Sequence, residues 1–94
     1  MKTESELIAD LNNIVSNYVS NFTTTVVSRR TATVSSLDTT IAIVFQNESI
    51  TNAMLKDFVE YVEQNDRNNL SLETKKDLGN LDYEVILMNA EIFY

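Results

Sequence analysis

Thr23-Thr24-Thr25-Val26-Val27-Ser28-Arg29-Arg30-Thr31-Ala32-Thr33-Val34, followed after Ser35-Ser36-Leu37-Asp38 by Thr39-Thr40-Ile41-Ala42-Ile43-Val44-Phe45-Gln46, is the stretch on which the fold class turns. Seven of the eighteen residues from Thr23 to Thr40 are threonine, and valines add further β-branching. Such side chains lose rotamer freedom in a helix and pack well on a pleated surface. Residues 23–34 therefore read as a strand, 35–38 as a turn and 39–46 as a second strand. The run Ile41-Ala42-Ile43-Val44-Phe45 is apolar on both faces, as in a central strand. The rival is a mostly α-helical chain with a long N-terminal helix. Positions 22, 26, 30, 34, 37, 41 and 44 are three or four apart and would share one stripe of it. The threonine content weighs against it.

On the N-terminal side, Leu7, Ile8, Leu11, Ile14, Val15, Tyr18, Val19 and Phe22 recur at helical spacing, which predicts a helix over 3–22. Thr3 and Glu6 form a capping-box pattern at its start. On the C-terminal side, Ile50, Met54, Leu55, Phe58, Val59 and Val62 predict a second helix within 47–65, capped by Ser49 or Thr51. Asn65–Asn69 reads as a polar loop. Ser71 is placed to cap a short helix ending at Leu78, with Gly79 in the left-handed terminal position. Residues 82–94 fit a helix by spacing, but β-branched and aromatic residues favour a strand. If that strand ran parallel to 39–46, the crossover between them would be right-handed. The expected order is α-β-β-α-α-β: one α+β domain over 1–94, two layers deep, with a three-stranded sheet. No repeat or linker stands out.

The chain has 94 residues, a net charge of −7, one Gly and no Cys, His, Pro or Trp. Without His or Cys, the commonest general base and the strongest nucleophile are missing, and one glycine cannot build a phosphate-binding loop. Lys2, Lys56, Lys75 and Lys76 sit in polar contexts, unsuited to Ser–Lys chemistry. Asp57, Glu60 and Glu63 are spaced for one helix face, which reads first as a solvated face. Asp66, Asn68 and Asp77 echo a calcium loop, but Ser71 stands where its glycine is required and Leu70 where a ligand belongs. No enzyme activity, metal or cofactor is expected. The three Asn-X-Ser/Thr triplets, at Asn21, Asn47 and Asn69, are close to the number chance supplies.

The charge is lopsided. Residues 47–94 carry ten acids and four cations, so direct nucleic-acid or anionic-membrane binding is not expected. Arg29-Arg30 stands in an acid-free stretch, and on a strand the two side chains would point to opposite faces. The pair is a candidate anchor for acidic groups, including Asp57, Glu60 or Glu63 of another copy. Such a head-to-tail contact builds rings or filaments. The segment Ile92-Phe93-Tyr94 is an apolar candidate contact. The longest apolar runs are too short to span a bilayer, and no basic-then-apolar leader pattern opens the sequence.

These features point to a non-enzymatic structural or assembly protein, oligomeric and acting through protein–protein contacts with itself or other proteins. A small component of a viral (phage) particle would fit the size and the Thr/Asn-rich composition, with a virion or host-cytoplasm location. The alternative is a small acidic phage-type inhibitor, of the anti-CRISPR or anti-restriction kind, that binds a host protein at a nucleic-acid-binding groove.

Overall fold

A capping box opens the first helix. The Thr3 hydroxyl accepts the Glu6 N–H at 3.2 Å, and the Glu6 carboxylate accepts the Thr3 N–H at 3.2 Å. Helix α1 then runs Glu4–Ser16 in the computed structural model, which describes residues 1–77 and 83–94. It buries Leu7, Leu11 and Val15, one residue per turn. The helix is shorter than its apolar stripe suggests. Asn17 caps it, because Ser and Asn compete with helical backbone bonds, and the chain leaves toward a strand. Val19 and Phe22 still pack against the core from outside the helix.

The threonine-rich segment is a β-hairpin, which removes the long-helix alternative. Strand β1 spans Phe22–Thr33 and strand β2 spans Ser36–Gln46. The turn is Val34-Ser35, earlier and tighter than 35–38, with neither residue at positive φ. Two bulges, at Val27 and Ala32, put an extra β1 residue into the ladder. Such bulges bend and twist an edge strand, and Arg29 and Arg30 add charge to it, so β1 is a poor template for further pairing.

Thr51 caps helix α2 (Asn52–Gln64) by accepting the Met54 N–H at 3.2 Å. Met54, Phe58 and Tyr61 form its buried stripe. A 3-10 turn, Asp66–Asn68, ends at Asn69 with φ 48°, a left-handed position that asparagine tolerates. Strands β3 (Ser71–Asp77) and β4 (Tyr83–Phe93) follow. The expected helix over 71–78 is therefore a strand, and the sheet has four strands rather than three. The physical reason is spacing. Leu70 and Leu72 are two apart, which suits a pleat, and no apolar residue follows at the three- or four-residue step of a helix. The proposed ends of that helix, Leu78 and Gly79, lie outside the described residues. Residues 83–93 resolve to a strand that pairs antiparallel with β2, so no parallel crossover forms.

The sheet order is β1-β2-β4-β3, antiparallel throughout. Both helices pack on one face, against Ile41, Ile43 and Phe45 of β2 and Ile86, Met88 and Ala90 of β4. The order αββ thus occurs twice. α1 and α2 have thirteen residues each, and β2 and β4 have eleven each. Antiparallel β2 and β4, paired at Ile41 and Met88, put an approximate two-fold axis through the sheet between the halves. The repeat escaped the sequence because few equivalent positions are identical, Asp10/Asp57 and Val15/Val62 among them, while others keep only hydrophobicity: Leu7 matches Met54, and Leu11 matches Phe58.

Asn68 is buried and ties three segments together. Its Oδ1 accepts the Lys2 N–H at 3.0 Å, and its Nδ2 donates to the Lys2 carbonyl at 3.0 Å and the Glu91 carbonyl at 2.9 Å. Thr39, by contrast, is buried with an Oγ1 that finds no partner among the described residues. Asn68→Ala is expected to cost about 2–3 kcal/mol in urea unfolding, because three part-buried backbone groups lose their partner. Thr39→Val keeps the shape and deletes the orphan hydroxyl, so the same measurement should show stabilisation of about 1 kcal/mol. A loss of stability in that variant would mean the hydroxyl has a partner.

Candidate functional site

Residue alternation assigns each side chain to a face. The odd positions of β2 and the even positions of β4 meet the helices. Asp38, Thr40, Ala42 and Val44 of β2, with Val85, Leu87, Asn89 and Glu91 of β4, fall on the opposite face, which no helix covers among the described residues. This open face is the candidate functional surface, and it has two ends.

One end is apolar. Val27, Ala42, Val44, Tyr83, Val85 and Leu87 line a shallow depression of about 500 Å³, with Lys75 at its margin. Val27, pushed out by its bulge, is 55% exposed. Cross-strand register sets the rows: Thr23, Val44, Val85 and Lys75 lie on one rung, and Thr25, Ala42, Leu87 and Glu73 on the next. Lys75 and Glu73 also form a loose ion pair along β3 at 3.8 Å, both well exposed.

The other end is polar. It is a groove of about 490 Å³ lined by Ser28, Arg30, Asp38, Asn89 and Glu91 among others. Its side chains are largely engaged with one another. Arg30 lies 3.5 Å from Asp38, the Thr40 hydroxyl donates to Asn89 Oδ1 at 2.7 Å, and Asn69 Nδ2 donates to Glu91 at 2.7 Å. Satisfied groups of this kind offer a polar rim, and they hold the shape of the surface.

The sequence-selected residues are distributed over three regions. Arg29 and Arg30 do point to opposite faces: Arg29 reaches the helix side and forms a two-pronged pair with Glu4, at 2.9 and 2.5 Å, while Arg30 lies on the open face with Asp38. Within the chain, neither arginine meets Asp57, Glu60 or Glu63. Asp57 accepts the Tyr18 hydroxyl, and Glu60 and Glu63 are exposed on α2. Ile92 packs against the core, whereas Phe93 is partly exposed and Tyr94 is 74% exposed, its N–H bonded to the Ser35 carbonyl at 3.0 Å. Sequence reasoning did not select Val27, Val44, Lys75, Val85 or Leu87. The signal was present in the doubly apolar runs 41–45 and 85–88. Reading both sides as buried hid the fact that one side faces out.

On the helix side, Asp10 joins α1 to α2. It accepts the Tyr61 hydroxyl at 2.7 Å and pairs with Lys2 at 2.5 Å, whose ammonium lies 5.7 Å from the Tyr61 ring centre. Burial and the bond to Asp10 push the Tyr61 hydroxyl above the ordinary phenol range. Burial raises the Asp10 carboxyl, but the bonds from Lys2 and Tyr61 together outweigh it, so Asp10 lies below the ordinary carboxylate value. The hydrogen bond from Arg29 lowers Glu4 in the same way.

No group of three or more His, Cys, Asp or Glu among the described residues is placed to hold a metal ion, and no helix among them is long and apolar enough to cross a membrane. Comparison with protein-family models, with curated protein sequences and with solved structures finds no match to the chain.

The two lowered carboxylates set a pH dependence. Each binds a proton less readily in the folded than in the unfolded chain, so its contribution is present above the unfolded pKa and is lost as pH falls through the folded one. Stability from urea unfolding is expected to drop below about pH 4.5. Glu4→Gln with Asp10→Asn should be less stable at pH 7 and show a flatter profile on the acid side. An unchanged acid slope in the double variant would mean that other carboxylates carry the effect.

Proposed function

We propose that the protein is a non-enzymatic assembly component that works through protein–protein contacts made by the open sheet face. The observation that carries this reading is the group of half-buried apolar side chains, Val44, Val85 and Leu87, on adjacent rungs of the four-stranded sheet, with no helix among the described residues packed over them. An antiparallel sheet can leave one face to water, but such a face is ordinarily polar. Here its apolar end is bordered by a polar rim, the arrangement of protein contact surfaces. A small part of a viral particle, such as a phage capsid or tail complex, would use such a face. The exposed Phe93 and Tyr94, which lie beyond the polar end, extend the available contact.

A second reading is an acidic inhibitor of a nucleic-acid-binding host protein, favoured by the exposed Glu60 and Glu63 on the outer side of α2. Ten acids offset by four cations over residues 47–94 fall short of the dense phosphate charge of duplex DNA. The open sheet face therefore leads.

A photo-crosslinking amino acid in place of Leu87, compared with one in place of Glu60, separates the two in cells of the natural source. The expected result is discrete protein adducts, of any mass, through position 87. Adducts confined to position 60 would favour the inhibitor, and no adduct through position 87 would overturn the role of the open face.

A further inference from the structure

Resting on the reading of the open face as a contact surface, we infer that its occupant is a second copy of this chain, docked face to face about a two-fold axis. The axis lies in the plane of the interface, across the strands, midway between two rungs. One rung is Thr23-Val44-Val85-Lys75 and the other is Thr25-Ala42-Leu87-Glu73. Rotation about it keeps each strand over its own counterpart and reverses the strand direction. Each rung then meets the other rung of the second copy.

The consequences follow position by position. Val44 meets the partner's Ala42, so a larger side chain opposes a smaller one, and Ala42 meets the partner's Val44 in return. Val85 meets the partner's Leu87. At the β3 edge, Lys75 meets the partner's Glu73, and Glu73 meets the partner's Lys75. The loose 3.8 Å pair within each chain becomes half of a square of four alternating charges. This reciprocity is what an isologous interface requires: residue i contacts j, and j contacts i. The opposite choice of axis, along the strands, is disfavoured by charge. It would lay Asp38 over the partner's Glu91 on the polar end. With the axis across the strands, the Asp38–Glu91 rung extends past the ends of the partner's β2 and β4 and meets no acidic rung of its sheet.

The two facing rungs cover on the order of 260 Å² of sheet, at about 4.8 Å between strands and about 6.8 Å between rungs. That is well below the ~800 Å² per partner of a standard interface, so a weak, transient dimer is expected. Sheet-on-sheet packing at about 10 Å separation suits the Val, Leu and Ala side chains that would lie between the layers.

The test uses the purified full chain in sedimentation equilibrium from about 1 μM to 1 mM. The wild type should show a monomer–dimer equilibrium without higher species. Lys75→Glu places two Glu–Glu contacts in the dimer and Glu73→Lys places two Lys–Lys contacts, and each is expected to weaken association about tenfold or more. Mixing the two variants should restore a heterodimer near wild-type affinity, because every contact is again of opposite sign. The double exchange Glu73→Lys/Lys75→Glu should dimerise on its own. Circular dichroism of each variant checks that the fold is kept.

Dimers indifferent to the single substitutions, or variants that do not recover on mixing, would overturn this axis. A monomeric wild type at 1 mM would overturn the second copy as occupant. If that monomer still cross-links through position 87 to a different protein, the reading of the open face stands without the dimer. If it does not, both fall.

Discussion

Two thirteen-residue helices cover one side of a four-stranded sheet, and no helix among the described residues covers the other. That constraint organises the molecule. It divides every strand into an inward and an outward set of side chains. Ile41, Ile43 and Phe45 are fully buried under the helices, while Val44, on the other side of the same strand, is only half-buried. The interior can be closed on one side with ordinary aliphatic packing. Whatever chemistry the other side offers is displayed on a surface supported from beneath by that packing.

The helical layer is tied down by groups that the two halves use in parallel. Tyr61 of α2 donates to Asp10 of α1, and Tyr18, just beyond α1, donates to Asp57 of α2. Asp10 and Asp57 occupy equivalent positions in the two αββ halves, so each half contributes one carboxylate to the other's tyrosine. The polar end of the open face is fixed differently, by side-chain bonds from Thr40 of β2 and from Asn69, just before β3, to residues of β4. Both devices satisfy polar groups locally and leave the helices and strands little freedom to slide.

Much of this was legible in the residues. The Thr3–Glu6 capping box, the stripe Leu7-Leu11-Val15 and the Met54-Phe58 stripe carry strong local signals, because capping and helical periodicity depend only on near neighbours. The β1–β2 hairpin was legible for the same reason. Strand β3 was not. Ser71-Leu72-Glu73-Thr74-Lys75 has one core-facing leucine, and its extended form depends on pairing with β4, a partner distant in sequence. Pairing direction was likewise invisible, since apolar runs do not encode whether two strands lie parallel. The open face was misread because a doubly apolar strand looks identical whether its second side meets a helix layer, another molecule or water. The intramolecular engagement of Arg29 by Glu4 depends on α1 crossing β1, which no local pattern states.

The pairing of β2 with β4 has a kinetic side. Thr40 and Asn89, hydrogen-bonded across that seam, are forty-nine residues apart in sequence. The β1–β2 hairpin and both helices can form from nearby residues, but the central seam must wait for the closure of a long loop. Until it closes, β2 presents an unpaired backbone edge and an apolar run with neither face yet protected. A nascent chain therefore spends the interval between synthesis of β2 and of β4 in its most aggregation-prone form. Slow translation or early termination in that interval would act on yield, even where the finished protein is stable.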